Sequence, residues 1–409
     1  MPKTPRPEKS ERGILVINAG SSSIKAGLFR QAESLLPVCR WMLENPLAHR
    51  SSVTLERHDG MQIKKNLAGP LAGKLATLLQ LVAKAAEQAG APLNIHVVGH
   101  RIVHGGRVFQ TPTLLTSTQL KKIESLGHLA PLHNPLQANI ARLLARALPG
   151  VPQVGVFDTA YFSNLPEMEK HYPLPRRYFL QGLQRYGFHG IAHQTLASQA
   201  VTWSHLPKRS ARIVTCHLGN GCSLTASRNG RSLKTTMGFT PTDGLMMGTR
   251  SGSLDPNLIL HMLRSGSCTV DDAERIINRG SGLLGVSGLS NDMRILRAAA
   301  RRGHAKARLA LDMFAGRLEA GIAAMATAMG GLDVLVFSGG IGENDHALRA
   351  AACKNLAFMG ISVDARKNRG TARHARTISK AGTPVRVIIL PASEEAAIAG
   401  VCAEMQLDH

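Results

Sequence analysis

Ten polar residues fall where apolar runs give way to polar or glycine-rich turns: Asn18, Ser21, Ser23, Lys25, Arg101, Asp158, His217, Asn220, Arg250 and Glu343. The set is rich in cations, amides and hydroxyls, and it holds two carboxylates. It contains no Ser–His–Asp spacing, so the nucleophile–base pairing of a hydrolytic triad is not supported. Guanidinium, amide and main-chain N–H groups suit a different task, gripping phosphate or another multiply charged anion.

Three β-branched apolar runs carry much of this set. Ile14–Ile17 leads into Asn18–Ser23, Ile213–Cys216 into His217–Ser223, and Val334–Phe337 into Ser338–Asn344. A strand ending in Gly, Ser and Asn exposes free backbone N–H groups and admits an anion close to the main chain. Three such turns, far apart in sequence, predict a bipartite cleft that holds a polyphosphate from several sides.

The other elements follow from periodicity. Strands are predicted at 24–29, 95–98, 154–157, 224–227 and 385–390. Helices are predicted at 71–89, 136–148, 258–264, 271–278, 305–329 and 394–405, with a long loop over 237–256. The Met and Leu stripe of 305–329 reads as core or subunit interface. Strand–glycine turn–strand openings at 14–29 and 213–227 look like one unit used twice, giving two similar α/β halves.

The chain has 409 residues, 44% of them hydrophobic, enough for two domains with ordinary cores. No apolar run approaches the roughly 20 residues that span a bilayer. Met1–Gly13 is basic, lacks an apolar h-region, and reads as a frayed extension rather than a signal peptide. Six scattered cysteines form no CxxC pair, which suggests free thiols in a reducing cytoplasm. Lys and Arg total 49 against 27 Asp and Glu, a field that attracts anions. With only 4% aromatic residues and no basic–aromatic alternation, nucleic acid is a poor fit.

Eight segments together resemble the acetate kinase family, within the sugar kinase/Hsp70/actin superfamily. They are VINAGSSSIK at 16–25, GHRIVHGG at 99–106, LAPLHNP at 129–135, FDTA at 157–160, RYGFHG at 185–190, HLGNG at 217–221, MGTRSG at 247–252 and SGGIGEN at 338–344. The resemblance implies two ribonuclease-H-like (actin-like ATPase) α/β domains flanking a nucleotide cleft. Residues 1–160 with 396–409 would form the first lobe, on the acyl and phosphate side. Residues 161–395 would form the second, which binds nucleotide and makes a homodimer.

The implied reaction moves the γ-phosphoryl group of ATP to acetate, giving acetyl phosphate and ADP, with Mg²⁺ or in its place Mn²⁺. A propionate or other short-acyl kinase is the near alternative. A nucleotide-binding regulator without an acyl acceptor and a nucleic-acid binder are the distant ones. A carboxylate is already ionised at neutral pH and needs no general base. The difficulty lies in bringing two anions together, which calls for positioning and charge neutralisation.

By the same resemblance, Arg101, Asp158, His189 and Arg250 are the catalytic residues. Asn18 and Glu394 hold the metal, although the family's usual Thr-Asn-Glu-Glu here reads Ala392-Ser393-Glu394-Glu395. Ser21, Ser23 and Lys25, together with His217, Leu218, Gly219, Asn220 and Gly221, cradle phosphates. Asp292, Met293 and Arg294, with Gly339, Gly340, Ile341, Gly342 and Asn344, lie on the adenosine side. Arg101, Val103, Leu132, Phe188 and Pro241 receive the acetate.

Overall fold

The computed structural model describes residues 12–20, 22–31, 35–88, 94–207, 210–370 and 374–405. Ser21 and residues 1–11 of the N-terminal extension lie outside the described residues. The chain divides into one compact unit of Met1–Ala160 with Ser393–His409, and a second of Tyr161–Ala392. Ser393–Glu395, assigned from sequence to the second lobe, group with the first because Glu394 bonds Asn18 and pairs with Arg101.

The first unit is built on an eight-stranded sheet. Its strands are β1 (Arg12–Ala19), β2 (Ser23–Gln31), β3 (Leu35–Glu44), β4 (Arg50–Arg57), β5 (Gln62–Ala68), β6 (Asn94–Ile102), β7 (Thr113–Leu114) and β8 (Gln153–Phe157), in the order β5-β4-β3-β2-β1-β6-β8-β7. Strands β1 to β5 form an antiparallel meander, and β6 and β8 add in parallel beyond β1. Ile14–Ile17 is buried throughout, as expected for a central strand covered on both faces.

Strands β3 to β5 went unassigned from sequence. Strand β5 reads QIKKNLA and buries only Leu67, so it shows little alternation. Its lysines suit an edge strand, where charge blocks pairing with another chain.

Helix Leu71–Gln88 buries Leu75, Leu78, Val82, Ala85 and Ala86 against the sheet at helical spacing. It also buries Lys74, whose Nζ donates to the carbonyls of Pro46 (3.2 Å) and Ala48 and to Ser51 Oγ (2.9 Å). The ammonium thus ties the β3–β4 connection to the helix.

The second unit repeats the plan with β9 (Arg212–Leu218), β10 (Cys222–Arg228), β11 (Arg231–Thr235), β12 (Val334–Ser338), β13 (Arg376–Thr377) and β14 (Arg386–Ile389), ordered β11-β10-β9-β12-β14-β13. The run β3-β2-β1-β6-β8 and the run β11-β10-β9-β12-β14 have the same sense. Each has three antiparallel strands followed by two parallel ones. Each unit is therefore ribonuclease-H-like, and the weak repeat seen in sequence is one architecture used twice.

Helix Ala305–Thr327 buries Leu311, Phe314, Leu318, Ile322 and Met325, so most of its apolar stripe is core. Helix Gly190–Ser204 was not anticipated. It buries residues around much of its circumference, including His193 and Ser204, so it lacks one clean apolar face.

Candidate functional site

In open sheets of this kind, ligands sit beyond the carboxyl ends of the strands. In the first unit those ends carry Asn18 (β1), Arg101 (β6) and Asp158 (after β8). Arg101 Nη2 meets Asp158 Oδ2 at 2.5 Å, and Nε reaches the same oxygen at 3.0 Å. Arg101 Nη1 donates to Asn18 Oδ1 at 3.0 Å, while Glu394 Oε2 lies 3.6 Å from Nε. Asn18 Nδ2 donates to Glu394 Oε2 (2.9 Å) and Glu395 Oε1 (3.4 Å). Asn18, Arg101, Asp158 and Glu394, predicted from distant parts of the sequence, are one hydrogen-bonded group.

Burial opposes the charge on Arg101, but Asp158 and Glu394 outweigh it and hold the guanidinium firmly ionised. Burial pushes Asp158 up to about 6 against the pull of Arg101, and Glu394 adds to the rise. Asp158 Oδ1 is buried with no hydrogen-bond partner among the described residues. A buried orphan acceptor near Glu394 suits a hard cation or the water such a cation carries. Among the described residues no cluster of three or more His, Cys, Asp or Glu forms a ready-made cage. Mg²⁺ fits that pattern, because it keeps several waters and is usually bound through one or two carboxylates plus substrate phosphates.

The segment after Arg101 is braced by buried amides. Gln137 Oε1 accepts from Val103 N (3.0 Å) while its Nε2 donates to Ala19 O (2.8 Å), linking the β6 and β1 turns. Asn134 bonds both N (3.2 Å) and O (2.9 Å) of His104, and Thr159 Oγ1 accepts from Gly105 N at 3.0 Å. Asn134 and Thr159 lie in the matched segments but were given no role from sequence, and Gln137 lies outside them. Val103 is buried, whereas Leu132 is 54% exposed, so core packing does not account for Leu132. Ser23 opens β2, and Lys25 stands exposed opposite Asn18 in the β1–β2 register.

In the second unit the β9–β10 turn, His217 to Gly221, is closed by Gly219 N donating to Gly221 O at 3.0 Å. It is held from outside by Gly248 N donating to Asn220 O (3.2 Å) and Asn291 Nδ2 donating to Asn220 Oδ1 (3.2 Å). A Cβ on Gly221 would lie 3.2 Å from Arg250 Nη1 and 3.3 Å from His189 Cε1. These three predicted residues therefore converge, and the bare glycine leaves both side chains room.

Arg250 Nη1 reaches only Pro241 O at 3.4 Å and Met247 Sδ at 3.9 Å. No carboxylate pairs with it among the described residues. Burial weakens its hold on its proton. This is a half-buried cation that lacks a counter-charge.

His189 sits in the left-handed region (φ 60°, ψ 26°) at the start of helix Gly190–Ser204, a strained setting for a non-glycine residue. A buried relay fixes its ring. His189 Nδ1 lies 2.8 Å from Ser223 Oγ, Ser223 Oγ lies 2.7 Å from His193 Nε2, and His193 Nδ1 lies 2.7 Å from Thr215 Oγ1. Burial, then His217, holds His193 well below the ordinary imidazole range, so it is neutral at pH 7. Ser223 engages Nδ1, and the other edge of the ring, Cε1 and Nε2, faces Gly221. Ser223, His193 and Thr215 were missed from sequence, since each acts through a partner distant along the chain. The His217 ring packs edge-on to His189 with centroids 4.9 Å apart.

The β12 turn completes the second unit's site. Gly339 has φ 77°, and a Cβ there would meet Leu218 O at 2.6 Å, so this turn approaches the Leu218 main chain as closely as only glycine allows. Glu343 Oε1 accepts from Gly339 N at 2.9 Å and braces the turn. Gly340 and Asn344 are exposed, Ile341 is half-buried and Gly342 is buried. Met293 is buried, while the Asp292 carboxylate caps its helix and pairs with Arg294 at 2.6 Å. That hydrogen bond holds Asp292 down to about 2. Phe188 is buried and Pro241 half-buried.

The Acetokinase family model matches residues 13–400. An acetate kinase of Synechococcus sp. (strain JA-2-3B'a(2-13)) is 46% identical over 95% of this chain and 98% of its own length. A propionate kinase of Salmonella typhimurium is 41% identical over 94% of this chain and 95% of its own. The crystal structure of Porphyromonas gingivalis acetate kinase superposes with a TM-score of 0.88 at 36% identity, covering 95% of this chain and 98% of that one. A family-wide match of this extent joins the geometry of both units to a single conclusion: the chain belongs to the acetokinase family.

Proposed function

We propose that this protein transfers the γ-phosphoryl group of ATP to acetate, reversibly, forming acetyl phosphate and ADP. An acetate oxygen attacks the γ-phosphorus in line, and the bond from that phosphorus to the β–γ bridging oxygen breaks. ADP departs with the electron pair, and no proton need move. What remains is to neutralise charge and hold geometry.

The carrying observation is Arg250, a half-buried guanidinium without a carboxylate partner among the described residues, set beside Gly221 and His189. A cation left uncompensated by the protein is completed by an anionic substrate. Arg250 and His189 bind the transferring phosphoryl group, and Arg101 supplies a second guanidinium to the reacting anions. The Gly219–Gly221 main chain, Asn220 and His217 cradle the polyphosphate, assisted by Ser21, Ser23 and Lys25. Gly339–Gly342, Asn344 and Asp292–Arg294 receive the adenosine. Val103, Leu132, Phe188 and Pro241 supply apolar surface for the methyl group.

Asn18, Asp158 and Glu394 hold Mg²⁺, directly or through its waters. When bound, the ion screens phosphate charge and orients the chain of phosphates. The reading is completed by a cytoplasmic location and a homodimer made through the second unit. The relative named a propionate kinase supports propionate as a second acceptor. One extra methylene changes binding by only about 1–3 kcal/mol in such a site.

An acceptor panel tests the proposal. With ATP and Mg²⁺, kcat/KM is expected to be highest for acetate, about tenfold lower for propionate, and lower again for butyrate. ATP hydrolysis that is indifferent to any carboxylate would contradict it.

A further inference from the structure

Residues 366–376 carry Arg366, Lys367, Arg369, Arg373 and Arg376, a basic run with no place in the reaction above. In the second unit its Asn368, Arg369, Gly370 and Arg376 line a polar cavity of about 520 Å³, beside β14 and the Gly339–Asn344 turn. Arg349, Arg369, Arg376 and His346 line this space, and among the described residues its only carboxylate is Glu343. Glu343 Oε1 is turned to the main chain, accepting from Gly339 N (2.9 Å) and Ala392 N (3.3 Å). The neighbouring Asp345 is already paired with Arg297 at 2.7 Å and accepts from Leu348 N at 2.9 Å.

Arg349 is the unusual member. Its side chain is 1% exposed, yet its donors meet only neutral acceptors: Asn368 Oδ1 (2.8 Å), Gly342 O (2.7 Å) and Asn368 O (2.8 Å). No carboxylate lies within ion-pair distance among the described residues. Burial, and then Arg376, push its pKa down to about 10. Burying a charge is costly unless a counter-charge compensates it. Guanidiniums match the oxygens of phosphate in bidentate fashion.

We propose that this cavity is a second anion site, which takes a compact phosphomonoester of about sugar-phosphate size. It shares only Asn344 with the residues assigned to nucleotide, and its existence does not depend on the acyl acceptor. Titration calorimetry tests it on the full chain saturated with ADP and Mg²⁺, which occupies the nucleotide site. The probes are inorganic phosphate and glucose 6-phosphate.

Glucose 6-phosphate is expected to bind once per chain and more tightly than inorganic phosphate. Its affinity should fall at least tenfold in the double variant R369A/R376A. Both substitutions remove exposed or half-buried side chains, and thermal unfolding confirms that the variant folds. KM for ATP in that variant should stay within twofold of wild type. Absence of binding, binding untouched by the double substitution, or equal affinity for the two probes would overturn the proposal.

Discussion

Arg101 meets two carboxylates, Asp158 at 2.5 Å and Glu394 at 3.6 Å, while Arg250 meets a carbonyl and a thioether. The first is a charge already balanced and locked in orientation. The second stores an unmet attraction for an anion. Both lie in motifs legible in the sequence, GHRIVHGG and MGTRSG, and their roles were read from the family resemblance those motifs carry. The residues that brace His189 and the segment after Arg101 carried no such assignment. Gln137, Asn134, Ser223 and His193 act by bonding main chain or one another, and such roles leave no composition or spacing signal. Ser223 makes the clearest case, being fully buried between two imidazoles. Ser223→Ala should lower kcat about tenfold by releasing the His189 ring, with KM for ATP changed less than about twofold. Ser223→Thr, which keeps the hydroxyl, should recover part of the loss. An unchanged kcat in the alanine variant would show that the relay does not position His189.

Among the elements, the strands that carry the site were readable because each has a buried apolar run rich in β-branched residues. Those that merely extend the sheet were not. Strand β5 faces solvent along most of its length, and β3 contains Pro37 and two charged residues within ten positions. Helix Leu71–Gln88 was visible from its apolar spacing, yet that spacing gives no sign that Lys74 is buried. Its ammonium satisfies two carbonyls and a hydroxyl inside the fold. Lys74→Met would keep the volume but leave those acceptors unpaired. Thermal or denaturant unfolding should show a loss of about 2–4 kcal/mol, with kcat/KM for ATP and acetate near wild type. A loss below about 0.5 kcal/mol would mean that the buried ammonium only breaks even with an apolar side chain.

For the molecule as a whole, the duplicated strand–turn–strand signal foretold two units of one architecture, and both sheets share that plan. The formal excess of 22 positive charges foretold anionic partners without saying where they bind. Arg250, with no carboxylate partner among the described residues, and the Arg349 cavity are the two places where such partners are proposed to bind. The central claim is that the two guanidiniums, one from each unit, allow phosphoryl transfer between mutually repelling anions. Trapping acyl phosphate with hydroxylamine, in the presence of ATP, Mg²⁺ and acetate, tests it directly. Wild-type protein should accumulate the hydroxamate, and Arg101→Ala and Arg250→Ala should each lower its rate of formation by roughly 10²-fold or more. Undiminished formation in both variants would contradict it.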